Sequence, residues 1–244
     1  MNDSLPTSIR PDPILESIFE IRFVPQVPPE TVSGLVLAAV RDTLPEMTTL
    51  PFAQIPEAVR MQDPNLMYNA THVFRADKFL LKAGSKVLTF SHLQNYPGWS
   101  GWWERINILL DRLAQQGIIQ TVERVGLRYV NFFQTPILEN LNLAVELIGQ
   151  SVNQYSSLMK FELPDSGILK TLQISNRINL QVEGQNHHGS LVDIDCQQML
   201  GLPASIFFAN VETIASQCHV KSKELFFGLL KPVFLEKFNP LYEV

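Results

Sequence analysis

Ser17-Ile-Phe-Glu-Ile-Arg-Phe-Val24 has a counterpart further along the chain, Arg124-Val-Gly-Leu-Arg-Tyr-Val-Asn131. Ile21-Arg22-Phe23-Val24 lies over Leu127-Arg128-Tyr129-Val130. In the first stretch Phe19, Ile21 and Phe23 alternate with Glu20 and Arg22, the period of a strand with one buried face. Each stretch reads as the opening strand of a similar unit.

After the first strand, Pro25, Pro28 and Pro29 end the extended run. Val32, Leu35, Val36, Ala39 and Val40 then make a helical stripe that stops at Pro45. Leu50 to Leu66 reads as loop with at most one short strand. Strands follow over Asn69 to Ala76 and Phe79 to Leu93, turning at Ala83-Gly84-Ser85. A helix from about Ser100 to Gln116 places Trp102, Trp103, Ile106, Leu109, Leu110 and Leu113 on one face. Ser100 is its expected cap, and Gly117 suits the left-handed position past its end.

The second unit repeats the order. Thr135 and Pro136 are the expected start of a helix carrying Ile137, Leu141, Val145 and Ile148. Strands are expected over Leu158 to Leu163, Ile168 to Ser175, Arg177 to Glu183 and Ser190 to Gln197. Pro164-Asp165-Ser166-Gly167 and Gln185-Asn186-His187-His188-Gly189 are expected as hairpin loops. A long helix from about Asn210 to Lys231 aligns Val211, Ala215, Cys218, Ser222, Leu225 and Leu229 and ends at Pro232.

The fold class is therefore α+β. The two β-α-β(3-4)-α halves, residues 1–120 and 121–244, pack as one globular unit. The simplest architecture is one curved antiparallel sheet with helices on one face, TATA-binding-protein-like or helix-grip-like. The other reading is an ordinary α+β domain whose halves look alike by chance.

The chain of 244 residues is long enough to bury a core without metal or disulfide staples. No apolar run approaches bilayer length, and the polar, proline-containing start lacks a secretory pattern. No membrane association is expected, and the expected compartment is the cytoplasm. Cys196 and Cys218 sit among apolar residues and read as small core side chains. A net charge of −5 weighs against general nucleic-acid binding, which needs clustered cations.

Motifs for phosphate loops, zinc proteases, nucleophile elbows and dinucleotide folds are absent, so no catalytic residue and no cofactor is assigned. Arg22 and Arg128 sit mid-strand on the polar side. Together they could hold a carboxylate or phosphate; alternatively each pairs with a strand carboxylate such as Glu20. His187, His188, Asp193 and Asp195 have metal-ligating side chains but make an incomplete set, so no metal is assigned. His219 and Lys223, four apart on the last helix, read as a boundary pair or a functional pair. Tyr96, Trp99, Phe234 and Phe238 are candidate partner-binding aromatics. A C-terminal tail so apolar either packs back on the core or docks into another chain.

Four segments together resemble an uncharacterised, sporadically distributed prokaryotic family of about this length. They are Pro13 to Phe23, Tyr96-Pro97-Gly98-Trp99, Arg124 to Asn131, and His219 through Phe226 to Asn239-Pro240. The resemblance brings no catalytic residues. Its scattered distribution implies an accessory role in a mobile or defence-linked system. The function expected is a non-enzymatic protein that binds another chain or itself. The alternative is a small-ligand or anion-binding domain built on the arginine pair.

Overall fold

The computed structural model describes residues 5–182 and 184–242. The chain runs β1 (Ile14–Pro25), α1 (Val32–Val40), β2 (Glu46–Thr49), α2 (Glu57–Arg60), β3 (His72–Ala76), β4 (Phe79–Gly84), β5 (Val87–Leu93) and α3 (Gly98–Gln115). It continues through β6 (Ile119–Phe133), β7 (Glu146–Leu147), β8 (Gln150–Ser151), β9 (Ser157–Asp165), β10 (Ile168–Val182), β11 (Gln185–Pro203), α4 (Ala204–Leu229) and α5 (Pro232–Leu235).

Nine strands form one antiparallel sheet in the order β2-β3-β4-β5-β1-β6-β11-β10-β9. The stretches Ser17–Val24 and Arg124–Asn131 lie side by side at its centre, with Ile21 opposite Val125 and Phe19 opposite Leu127. The boundary at residue 120 falls inside β6, so both halves share this sheet.

Alternation decides which face is buried. Phe19, Ile21, Phe23, Leu88, Phe90, Leu127 and Ile194 are all buried on one side. α3 sits there, its Trp103 ring edge-on to Phe19 at 5.4 Å. The buried residues of α3 are the six its periodicity picked out. α4 crosses β6, β11 and β10, and α1 packs on β3, β4 and α3. Cys196 and Cys218 are buried and unbridged, and burial pushes both thiols up to about 12. Among the described residues no helix is long and apolar enough to cross a membrane.

Several expectations are corrected. The helix expected after Pro136 does not form: Leu138–Asn140 is a single 3-10 turn, followed by the β7-β8 hairpin. Leu141 bridges to Leu230, and the Asn142 amide donates to the Gly228 and Leu230 carbonyls at 3.0 and 3.2 Å. This segment is thus held by the C-terminal chain, and Ile148 points into solvent. The strands expected at Ile168 to Ser175 and Arg177 to Glu183 are one strand, β10, as far as Val182. A bulge at Arg177, with φ of 55°, joins the two parts. Glu183 lies outside the described residues. His187 and His188 belong to β11, not to a loop. The Leu50 to Leu66 region holds a 3-10 turn and α2, while its neighbour Glu46–Thr49 is the edge strand β2. Ser100 does not cap α3: Pro97 precedes the helix, and no side chain caps it.

Candidate functional site

The polar face of the sheet carries the charges. Register places Arg22 opposite Arg124, and Arg128 opposite Ile18. The two arginines singled out from sequence therefore stand four residues apart along the strands, about 13 Å. Arg22 donates to Glu20 at 2.7 Å and lies over the Tyr68 ring at 4.5 Å. Arg124 sits between Glu20 and Asp195, 3.5 Å from each. Arg128 holds Asp193 through two hydrogen bonds, 2.8 and 2.5 Å. Each guanidinium is thus engaged by a strand carboxylate, and the pair does not converge on a common ligand. The histidine-aspartate set is dispersed too: Asp193 and Asp195 face arginines, His187 lies edge-on to Phe132, and His188 meets Asn179.

The Arg128–Asp193 pair is a stability element. Arg128→Ala leaves a carboxylate whose side chain is 12% exposed without its partner. The expected loss is about 1.5 kcal/mol, reduced from the buried-pair range because Arg128 is half exposed. Chemical denaturation checks this, and removing Asp193 as well is expected to restore part of the loss.

The aromatic candidates lie on the helical side. The Tyr96-Pro97-Gly98-Trp99 turn feeds α3, and Gly98 adopts φ of 85°, which a side chain would strain. Trp99 stacks flat on the imidazole of His219 from α4, centroids 4.2 Å apart. His219 Nδ1 is 3.1 Å from the Tyr129 hydroxyl, which is 3.2 Å from the Tyr96 hydroxyl. Burial, aided by Lys223, pushes His219 down to about 4, and burial raises both tyrosines. The chain Tyr96–Tyr129–His219 is therefore neutral near pH 7.

These groups wall a cavity of about 160 Å³. Tyr129 and Asn131 of β6 and Ile194 of β11 also line it, with Ser222, Lys223 and Phe226 of α4 and the segment from Thr7 to Ile14. The lining is mostly apolar, yet it holds buried polar groups with bonding capacity to spare. Asn131, 3% exposed, donates its amide to the Val192 and Tyr129 carbonyls, at 3.0 and 3.4 Å. Among the described residues, nothing hydrogen-bonds to its side-chain oxygen, to the Ser222 hydroxyl or to Nε2 of His219.

Phe234 and Phe238 lie outside the cavity and serve its frame. Both pack on Phe133, at 5.7 Å, so the tail folds back on its own core. From there the tail holds the N-terminal segment: Thr7 N–H donates to the Leu241 carbonyl at 2.7 Å, and the Asn239 amide donates to the Arg10 carbonyl at 3.2 Å.

Sequence reading named Tyr96, Trp99, His219 and Lys223 but not as one site. It missed Arg10, Asn131, Tyr129 and Ser222 as site residues. The available signal was polarity at core positions: Tyr129 and Asn131 interrupt the apolar face of β6, and Ser222 the stripe of α4.

No family model matches the chain, and no curated protein matches it. A solved structure described as "KH domains" aligns over 95% of this chain and 66% of its own, at 8% identity with a TM-score of 0.20. The chain thus spans just under two thirds of that structure's length. A likeness this slight carries no argument about fold or ligand.

Proposed function

We propose that the protein is a non-enzymatic binding protein whose recognition site is the cavity between α3, α4 and the sheet. The observation that carries this reading is the combination of an aromatic-walled space with polar atoms of Asn131, Ser222 and His219 that border it and have no hydrogen-bond partner among the described residues. Ligand sites have this composition, apolar walls with a few placed polar groups. A hydroxyl or amide oxygen left open to such a space is free to bond a ligand. Two buried free thiols fit action in a reducing compartment such as the cytoplasm.

The architectural reading that goes with it is an internal duplication about the β1–β6 pair. Outward from β1 the order is β5, β4, β3, β2; outward from β6 it is β11, β10, β9. A long helix follows the last strand of each half. A TATA-binding-protein-like plan accounts for this order, with the counterparts of α1 and β2 lost between Ile137 and Ser151.

The test is a thermal-shift screen of small organic compounds. Saturating binders are expected to raise the melting temperature of the wild type, since a ligand at 100 times its dissociation constant adds about 2.7 kcal/mol. They are expected to leave the cavity-filling variant Ser222→Trp unmoved. Trp99→Ala, at a half-buried position, serves if that variant does not fold. A wild type unmoved by every compound would overturn the proposal.

A second reading, association with another chain or a second copy, is favoured by the edge of β9. β9 is an edge strand of the sheet, paired on one side only, with β10. Leu158 on this edge is 68% exposed. A chain that sediments as a monomer at every concentration would exclude self-association.

A further inference from the structure

Resting on the cavity being a ligand site, we propose that it takes a small organic acid, with a flat apolar body near the size of benzoate and its carboxylate toward Lys223 and Arg10. Size sets the body. A cavity of about 150 Å³ lined by apolar side chains holds one benzene ring, and this one measures about 160 Å³. The lining points the same way: His219, Tyr129 and Phe226 border the space, with Trp99 stacked between His219 and Trp103 at 4.2 and 5.2 Å behind them. Aromatic walls suit an aromatic ligand.

Charge sets the head group. Three charged side chains border the cavity: Arg10, Asp12 and Lys223. Asp12 is already engaged, accepting the Ile14 N–H at 2.8 Å, and Arg10 stands two residues away on the same segment. Neither Arg10 nor Lys223 has a carboxylate within ion-pair distance among the described residues. His219 is neutral, so the rim carries one net positive charge. Against this background α3 adds its own field. The helix is 18 residues long, begins in the cavity wall, and has neither a capping side chain nor an acid in its first turn. Its leading N–H groups and positive dipole end favour an anion there. A cationic ligand would meet Lys223, Arg10 and this helix end together. A neutral one would leave Lys223 without a counter-charge, whereas Arg10 has Asp12 nearby on its own segment. Ser222 and the spare capacity of Asn131 suit a second polar substituent on the ring.

Isothermal titration of the full chain with benzoate, benzyl alcohol and benzylamine separates the possibilities, since the three share a ring and differ in charge. Benzoate is expected to bind at least about tenfold tighter than either of the others, and Lys223→Met to narrow that gap to roughly threefold or less. Added salt should weaken benzoate selectively. Benzyl alcohol or benzylamine binding as well as benzoate would overturn the acid while leaving the cavity as a ligand site. Failure of all three to bind would overturn the acid proposal, and failure of the whole compound screen is what would remove the cavity reading.

Discussion

Phe234→Ala is expected to lower the free energy of unfolding by about 3 kcal/mol, within the range for deleting a buried aromatic ring. Phe234 is 5% exposed and packs on Phe133 and on Phe238, at 5.7 and 5.1 Å. For a chain of this length the loss corresponds to roughly 10 °C in melting temperature. Phe238→Ala is expected to cost less, because that ring is only partly covered. The effect reaches the cavity, since the tail after α5 fastens the segment around Arg10 that borders it. Ligand-induced stabilisation should therefore shrink in Phe234→Ala even at temperatures where the variant remains folded. Chemical denaturation with and without ligand measures both. A variant as stable as the wild type but deficient in association would return the tail to the role of a docking segment.

Acid is expected to weaken the fold through His219. Its imidazole is held neutral, down to about 4 from an ordinary value near 6.5, by burial first and by Lys223 second. Between those values the unfolded chain binds a proton that the folded chain refuses. Stability contributed by neutral His219 is thus fully present above pH 6.5. It falls as pH drops through the window and is gone below about pH 4. The expected loss is about 2 kcal/mol, reduced because water reaches part of the ring. His219→Gln removes the titration, so its stability should be flatter across this window than that of the wild type. Denaturation at stepped pH makes the comparison; parallel profiles would show that His219 does not titrate there. Asp12, Lys223, Tyr129 and Tyr96 all face this region, and the Asp12 carboxyl is the acidic group among them. Burial pushes its carboxyl up, opposed by the Ile14 N–H and Arg10.

How much of this was readable follows from where the information lay. Strand β1 and helix α3 were legible because local alternation and helical spacing are enforced by one continuous core. The segment from Ile137 to Ile148 has helical spacing as well, yet its outer half has no surface to pack on. Leu147 is 65% exposed and Ile148 95%. Bonds from Asn142 to the end of α4, remote in sequence, decided its conformation instead. The bulge at Arg177 was unreadable for a similar reason: the Asn176 side chain reaches the Asn153 and Tyr155 carbonyls, at 3.2 and 3.0 Å. The cavity draws its lining from five segments far apart in sequence, so no local motif announces it. Arg22 and Arg128 drew attention because both sit mid-strand on a polar face. Glu20, two residues away on the same strand, engages Arg22, while pairing register, which periodicity does not give, placed Asp193 beside Arg128.

The most direct test of the cavity reading is native mass spectrometry of the wild type and Ser222→Trp, each incubated with the small-molecule fraction of the source cells. The prediction is one added small molecule on the wild-type chain and none on the variant. Bare wild-type chain throughout, or an increment matching a second polypeptide instead, would contradict it.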